Sequence, residues 1–106
     1  MSPSHNTIID QIKNVIKLTD PSAMAILYGS RATGKARPNS DWDILILLDK
    51  AIVSAKDEQI FRHNLYDVEL ETGESISTLV YTKQDWNTRL SVTPIYHAVK
   101  QKGIVL

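Results

Sequence analysis

Two aspartates, Asp41 and Asp43, stand two apart in "SDWDILILL", at the opening of an apolar run. In an extended chain, residues i and i+2 face the same way, so both carboxylates would share one side. At roughly 6 Å they would repel by about 3 kcal/mol at an effective dielectric near 20. Water, a shared proton or a cation can relieve that repulsion. Two hard oxygen donors suit Mg²⁺, which is usually held by one or two carboxylates, with phosphate oxygens and water completing its shell. Taken alone, an Asp-x-Asp pair is most often a solvated strand end.

Gly29-Ser30 adds weight, because it closes an earlier apolar run, "AMAILY". Glycine lets backbone N–H groups approach a phosphate, and the serine hydroxyl adds a donor. Arg31, Lys35 and Arg37 place cations in the same stretch. By itself, Gly-Ser after a strand is a turn. The combination of strand, Gly-Ser, ten residues, Asp-x-Asp and strand is much rarer. If the two runs are neighbouring strands, a phosphate cradle lies beside a pair of metal-binding carboxylates. A triphosphate bridged to Mg²⁺ would use both.

The elements that must position these residues can be read from pattern. Ile8, Ile9, Ile12, Val15 and Ile16 recur at helical spacing, with Ser4 or Thr7 as cap and Asp20-Pro21 as stop. Residues 23–28 and 42–49 read as buried strands, the second apolar on both faces after Asp43. Residues 30–40, with Gly34, Pro38, Asn39 and Ser40, read as a loop with room for a helical turn. The spacing of Ile60, Phe61, Leu65 and Val68 predicts a surface helix over 55–71, ended by Gly73. The alternation of Tyr66, Val68 and Leu70 leaves a hairpin arm as the competing reading. "SISTLVYT" (75–82) reads as a third strand. Thr82-x-x-Asp85 suggests a capping box opening a short helix through Trp86 and Leu90, and Thr93-Pro94 opens a last helix that Gly103 follows. The tail "IVL" is a candidate edge strand. The expected fold class is α/β (α+β), a small mixed β-sheet with helices packed on it, and one domain over 1–106.

Composition sets outer limits. The chain has 106 residues, 12 basic and 12 acidic, with zero formal net charge. That balance speaks against nucleic acid as a stable partner, since a large phosphate footprint needs excess Lys and Arg. There is no cysteine, which excludes disulfides and thiolate metal sites. No leader pattern and no run of ~20 apolar residues is present, so the expectation is a soluble, cytoplasmic chain without a membrane partner. His5, His63 and His97 are scattered, without a partner at ligand spacing. Trp42 should face opposite to the aspartates, into the core, and Trp86 and Tyr96 fit core or interface positions. Lys100 and Lys102 suit the end of the last helix.

Gly29-Ser30, ten residues, then Asp41-x-Asp43 resembles the signature of the DNA polymerase β-like nucleotidyltransferase superfamily. "YGSRATGKARPNSDWDILILL" is similar in particular to the minimal nucleotidyltransferases of bacteria and archaea. The resemblance implies that Gly29 and Ser30 hold the β- and γ-phosphates of an NTP, with Arg31 as a further nucleotide-binding candidate. It also implies that Asp41 and Asp43 are the catalytic, Mg²⁺-binding pair. The reaction implied is transfer of a nucleoside monophosphate, AMP from ATP, to a hydroxyl. Minimal members are often encoded beside a helical HEPN-domain protein, forming a toxin–antitoxin pair, so a HEPN-type partner is the implied acceptor. In so short a chain, the acceptor must be gripped by a partner or by a second copy in a homo-oligomer, or be the partner itself.

The sequence departs from the family pattern at one important point. Relatives usually carry a third carboxylate on the next core strand, here "SISTLVYT", which is acidic in neither register. Ser77 is the expected equivalent; Glu69 or Glu71 could substitute only if a strand replaced the 55–71 helix. The loop also lacks the additional Arg often found at the Thr33 position. Two readings follow: a working transferase, or a catalytically impaired binding module that masks a partner stoichiometrically.

Overall fold

The computed structural model describes residues 5–106, so the candidate cap Ser4 lies outside the described residues. The first helix, α1 (His5–Thr19), carries Ile8, Ile12 and Ile16 on one buried stripe. Thr7 lies inside this helix and cannot be its cap. The helix stops where Asp20 turns back on itself, its Oδ1 accepting from the Ser22 N–H and hydroxyl.

Four strands form one mixed sheet in the order β3-β2-β1-β4. They are β1 (Met24–Tyr28), β2 (Trp42–Leu48), β3 (Ile76–Thr82) and the short β4 (Ile104–Val105). β1 runs antiparallel to β2 and to β4, while β2 and β3 are parallel. The tail does pair at an edge, with the Leu106 N–H donating to the Ala25 carbonyl at 2.9 Å. The central strand β2 is apolar on both faces because helices cover both of its sides.

On one side, α1 and α3 (Ala55–Thr72) pack on Ala25, Leu27, Trp42, Ile44, Ile46 and Leu48. Trp42 is 1% exposed and faces this core. Each fully buried Ile or Leu here contributes about 1.5–3 kcal/mol relative to exposure. On the other side, α4 (Lys83–Asn87), a 3₁₀ turn (Arg89–Val92) and α5 (Pro94–Lys102) cover Ile26, Leu45 and Leu47 with Trp86 and Val99. Trp86 packs against Tyr96, ring centroids 5.1 Å apart, and stacks on Tyr81.

Several boundaries differ from the pattern reading, for physical reasons. The 55–71 region is helical throughout, which excludes the hairpin arm and keeps Glu69 and Glu71 off the sheet. Its buried stripe is Phe61, Leu65 and Val68, and Ile60 is 41% exposed at its margin. The full capping box lies at Ser54 and Asp57: the serine hydroxyl accepts from the Asp57 N–H while the Asp57 carboxylate accepts from the Ser54 N–H. At α4 only the forward half forms, Thr82 accepting from the Asp85 N–H, because the Asp85 carboxylate turns to Arg89. That helix ends at Asn87, and Leu90 belongs to the 3₁₀ turn. Thr93 and Pro94 do open α5 as a cap and first-turn pair.

Candidate active site

Tyr28 of β1, Asp43 of β2 and Ser77 of β3 lie side by side across three strands. Directly paired residues point to the same face. Asp43 therefore shares the face of Leu45 and Leu47, opposite to Trp42. Beyond Tyr28 the chain turns at Gly29 into a four-residue helix, α2 (Ser30–Thr33).

The turn is possible only for glycine. Gly29 has φ 74° and ψ −156°, a region that a side chain essentially forbids. A Cβ built there would collide with Asp43 Oδ2. The absent side chain of Gly29 is thus the space that the Asp43 carboxylate occupies, and Ser30 follows immediately. Among the described residues, no side chain or backbone group bonds the Ser30 hydroxyl. Gly29, Ser30 and Asp43 are brought together by the β1–β2 pairing.

Asp41 lies one residue before β2 and is exposed, and its charge reaches Asp43. The Asp43 carboxyl is raised above its ordinary value, first by burial and then by Asp41. Burial, and then the Asp43 carboxylate, raise Tyr28. Burial and then a neighbouring carboxylate push Asp43 toward neutrality, the electrostatic condition that a divalent cation reverses. The donors are hard oxygens, so the residues present fit Mg²⁺ held by two carboxylates. No cluster of three or more His, Asp or Glu side chains forms among the described residues, and His63 and His97 join no metal-binding group.

Ser77 is the register neighbour of Asp43, and it supplies a hydroxyl where a third acid could stand. Glu69 is already used, its Oε2 accepting from the Ile76 N–H at 3.2 Å. Glu74, just before β3, lies 3.7 Å from Arg31.

Arg31 has partners inside the chain that spacing does not reveal. Its guanidinium does not turn to the Gly29–Ser30 side as a free cation. It lies over the Trp42 ring at 4.5 Å and donates to the Ser40 and Pro38 carbonyls. Lys35 and Arg37 are the exposed cations of this loop, and among the described residues neither forms an ion pair. Tyr28 was missed from sequence, although its place before Gly29, opposite Asp43 in a hairpin register, was a usable signal.

A groove lies along α3, lined by Lys56, Ile60, His63 and Tyr66 among others. It is on the far side of the sheet from Asp43 and converges on no chemical group. No helix among the described residues is long and apolar enough to cross a membrane.

Comparisons with known proteins agree with this fold. A sequence model described as polymerase beta, nucleotidyltransferase, matches residues 10–105. No curated protein sequence matches the chain. Among solved structures, a toxin–antitoxin crystal structure with AMP-PNP superposes with a TM-score of 0.64 at 14% identity, over 91% of this chain and 69% of the other. A toxin–antitoxin MntA–HpeT double mutant, with two Asp-to-Glu changes, gives 0.61 at 15% identity, over 97% and 72%. A candidate minimal nucleotidyltransferase gives 0.63 at 19% identity, over 100% and 97%.

Proposed function

The chain belongs to the polymerase beta nucleotidyltransferase family, and from that premise we propose that it transfers a nucleoside monophosphate, AMP from ATP, to a hydroxyl on a HEPN-type toxin partner. The observation that carries the reading is the contact of the Asp43 carboxylate with the side-chain-free face of Gly29, beside Asp41 and Ser30. The AMP-PNP and the toxin–antitoxin assemblies named for the structural neighbours support the nucleotide and the kind of partner.

The residues divide the work. Gly29 and Ser30 hold the β- and γ-phosphates, the glycine by leaving room and the serine by donating its hydroxyl. Asp41 and Asp43 hold the divalent cation. Mg²⁺, when bound, would supply charge neutralisation at the phosphates. The acceptor oxygen bonds to the α-phosphorus, and the bond from that phosphorus to the bridging oxygen breaks. The electron pair leaves with pyrophosphate. The acceptor proton goes to water or to a base carried by the acceptor, since Ser77 is no base at neutral pH. Catalysis on this account is mostly positioning and electrostatics.

The serine at position 77 favours a second reading, in which the protein binds Mg-ATP but neutralises its partner by stoichiometric masking. A missing general base typically costs about 10²- to 10⁴-fold in rate. Incubation with labelled ATP, Mg²⁺ and a HEPN-type partner protein separates the two. Transfer predicts label on the partner that is lost in Asp43→Ala. Masking predicts no label and neutralisation that survives Asp43→Ala.

A further inference from the structure

We infer that Arg31 is a positioning residue for the two aspartates, a brace on the loop that delivers them, rather than a ligand of the nucleotide. The inference rests on the reading of Asp41 and Asp43 as cation ligands.

The geometry of one side chain carries it. Arg31 Nη2 donates to the Ser40 carbonyl at 2.9 Å and to the Pro38 carbonyl at 3.3 Å. The guanidinium carbon stands 4.5 Å from the centre of the Trp42 ring. Nη2 also lies 3.7 Å from Glu74 Oε2, in the lead-in to β3. Ser40 is the residue before Asp41, and Trp42 is the residue between Asp41 and Asp43. One cation therefore holds the chain on each side of Asp41, and ties both points to Glu74.

Direction supports the same conclusion. Trp42 faces the α1/α3 side of the sheet, and the guanidinium follows it there. Asp43, one residue on, faces the other side. The Arg31 side chain is only 14% exposed, and its Nε is buried without a hydrogen-bond partner. A buried cation is expensive unless its partners hold it in one geometry. Leaving that geometry to reach a phosphate would give up two carbonyl bonds, the ring contact and the ion pair together.

Ala32 packs against the α1/α3 core, while among the described residues 35–40 make no hydrogen bond of their own to the sheet. The loop's other bonds are local: the Lys35 N–H to the Ser30 carbonyl, the Ser40 N–H to the Arg37 carbonyl, and the Arg37 N–H to the Ser40 hydroxyl. The planar fork of arginine can bond two carbonyls and stack on a ring at once, which the point charge of lysine cannot do.

The test uses Mn²⁺ as the probe, its binding to the full chain followed by electron paramagnetic resonance in wild type and Arg31→Lys. Losing a group that orients a metal ligand costs about 10- to 100-fold in metal affinity, so Mn²⁺ should bind Arg31→Lys weaker by that factor. ATP binding should recover at saturating Mn²⁺, since a displaced ligand is restored by mass action. Amide hydrogen exchange should show faster exchange at 40–42 with the strands' protection kept, which separates a loosened loop from a destabilised fold. Glu74→Gln, which keeps the carbonyl bonds, should give a smaller loss in the same direction. Unchanged Mn²⁺ affinity with weaker ATP binding at every Mn²⁺ concentration would overturn the inference and make Arg31 a phosphate ligand. Unchanged Mn²⁺ and ATP binding would overturn it too. If wild type bound no Mn²⁺, the reading of the aspartates would fall, and the exchange at 40–42 would still decide the brace.

Discussion

Two carboxylates in this molecule are treated in opposite ways. Asp57 sits in the first turn of α3, bonded to Lys50 at 2.7 Å and to the Ser54 backbone and hydroxyl. Those partners, the lysine first, hold its carboxyl down at about 2. Asp43 is pressed against Gly29 with another aspartate beside it, and its carboxyl is pushed up. One acid is compensated by the protein; the other is placed where only something from outside can compensate it. The fold uses Asp57 to hold a helix end, and leaves Asp43 raised by burial and by Asp41. Strained and repulsive geometry of that kind collects at functional sites.

The strongest way to sharpen the contrast is to add a third acid beside Asp43. Ser77→Asp should deepen the repulsion in the metal-free protein and lower its melting temperature. With Mg²⁺ and ATP it should raise transfer to the partner, by up to the roughly 10²- to 10⁴-fold that a positioned base contributes. Radiolabel incorporation measures the second effect. No gain in transfer would place the acceptor's base elsewhere.

Gly29→Ala attacks the same spot from the other side. It forces a side chain into a backbone region costing about 1–3 kcal/mol, and the Cβ displaces the Asp43 carboxylate. Chemical denaturation should show the loss of stability, and Mg-ATP binding should weaken with it. Gly34 and Gly73 also have positive φ, but a Cβ at either meets nothing within 4 Å. Alanine at Gly34 should therefore cost stability while leaving Asp43 in place.

Asp57→Asn probes the compensated acid. Its carboxyl ionises more readily in the folded chain than the ordinary 3.8. The stabilisation is thus fully present above about pH 4 and is lost as pH falls toward 2. The substitution should cost about 0.3–1 kcal/mol at pH 7, and the gap from wild type should close on acidification.

Asp43→Asn should do the reverse in the metal-free protein. A raised carboxyl favours the fold while protonated, and that advantage is lost as pH rises through its folded value. At pH 7 the asparagine variant should melt a little above wild type, and the difference should shrink as the solution is acidified. Thermal melts in EDTA across pH distinguish these signs.

Much of this was legible beforehand, and what was not has a physical explanation. The apolar runs ending at Gly29 and beginning at Trp42 were legible as strands, but their pairing stood only as a condition of the site reading, and the fold supplies it. Spacing put Asp41 and Asp43 together on a strand start; in the fold Asp43 lies in β2 and Asp41 just before it. Ser77 as the neighbour of Asp43 followed from alternation along β3. The contacts of Arg31 did not follow: the sequence reads it as a nucleotide-binding candidate, and only the fold brings the Trp42 ring and the Ser40 carbonyl to it. The Ser54–Asp57 box went unread because aspartate is the shorter alternative to the usual Glu or Gln at that position. Ile60 and Leu90 fit helical spacing, but spacing fixes a stripe and not its margins.

The central claim is that Asp41 and Asp43, set against Gly29-Ser30, form one site for a divalent cation and a polyphosphate. Calorimetric titration of ATP into wild type and Asp43→Asn, each with Mg²⁺ and with EDTA, tests it most directly. The account predicts Mg²⁺-dependent binding to wild type. It also predicts a loss in Asp43→Asn beyond the roughly 10- to 100-fold typical of residues that only orient a metal ligand. Equal affinity in the two proteins, or wild-type binding indifferent to EDTA, would contradict it.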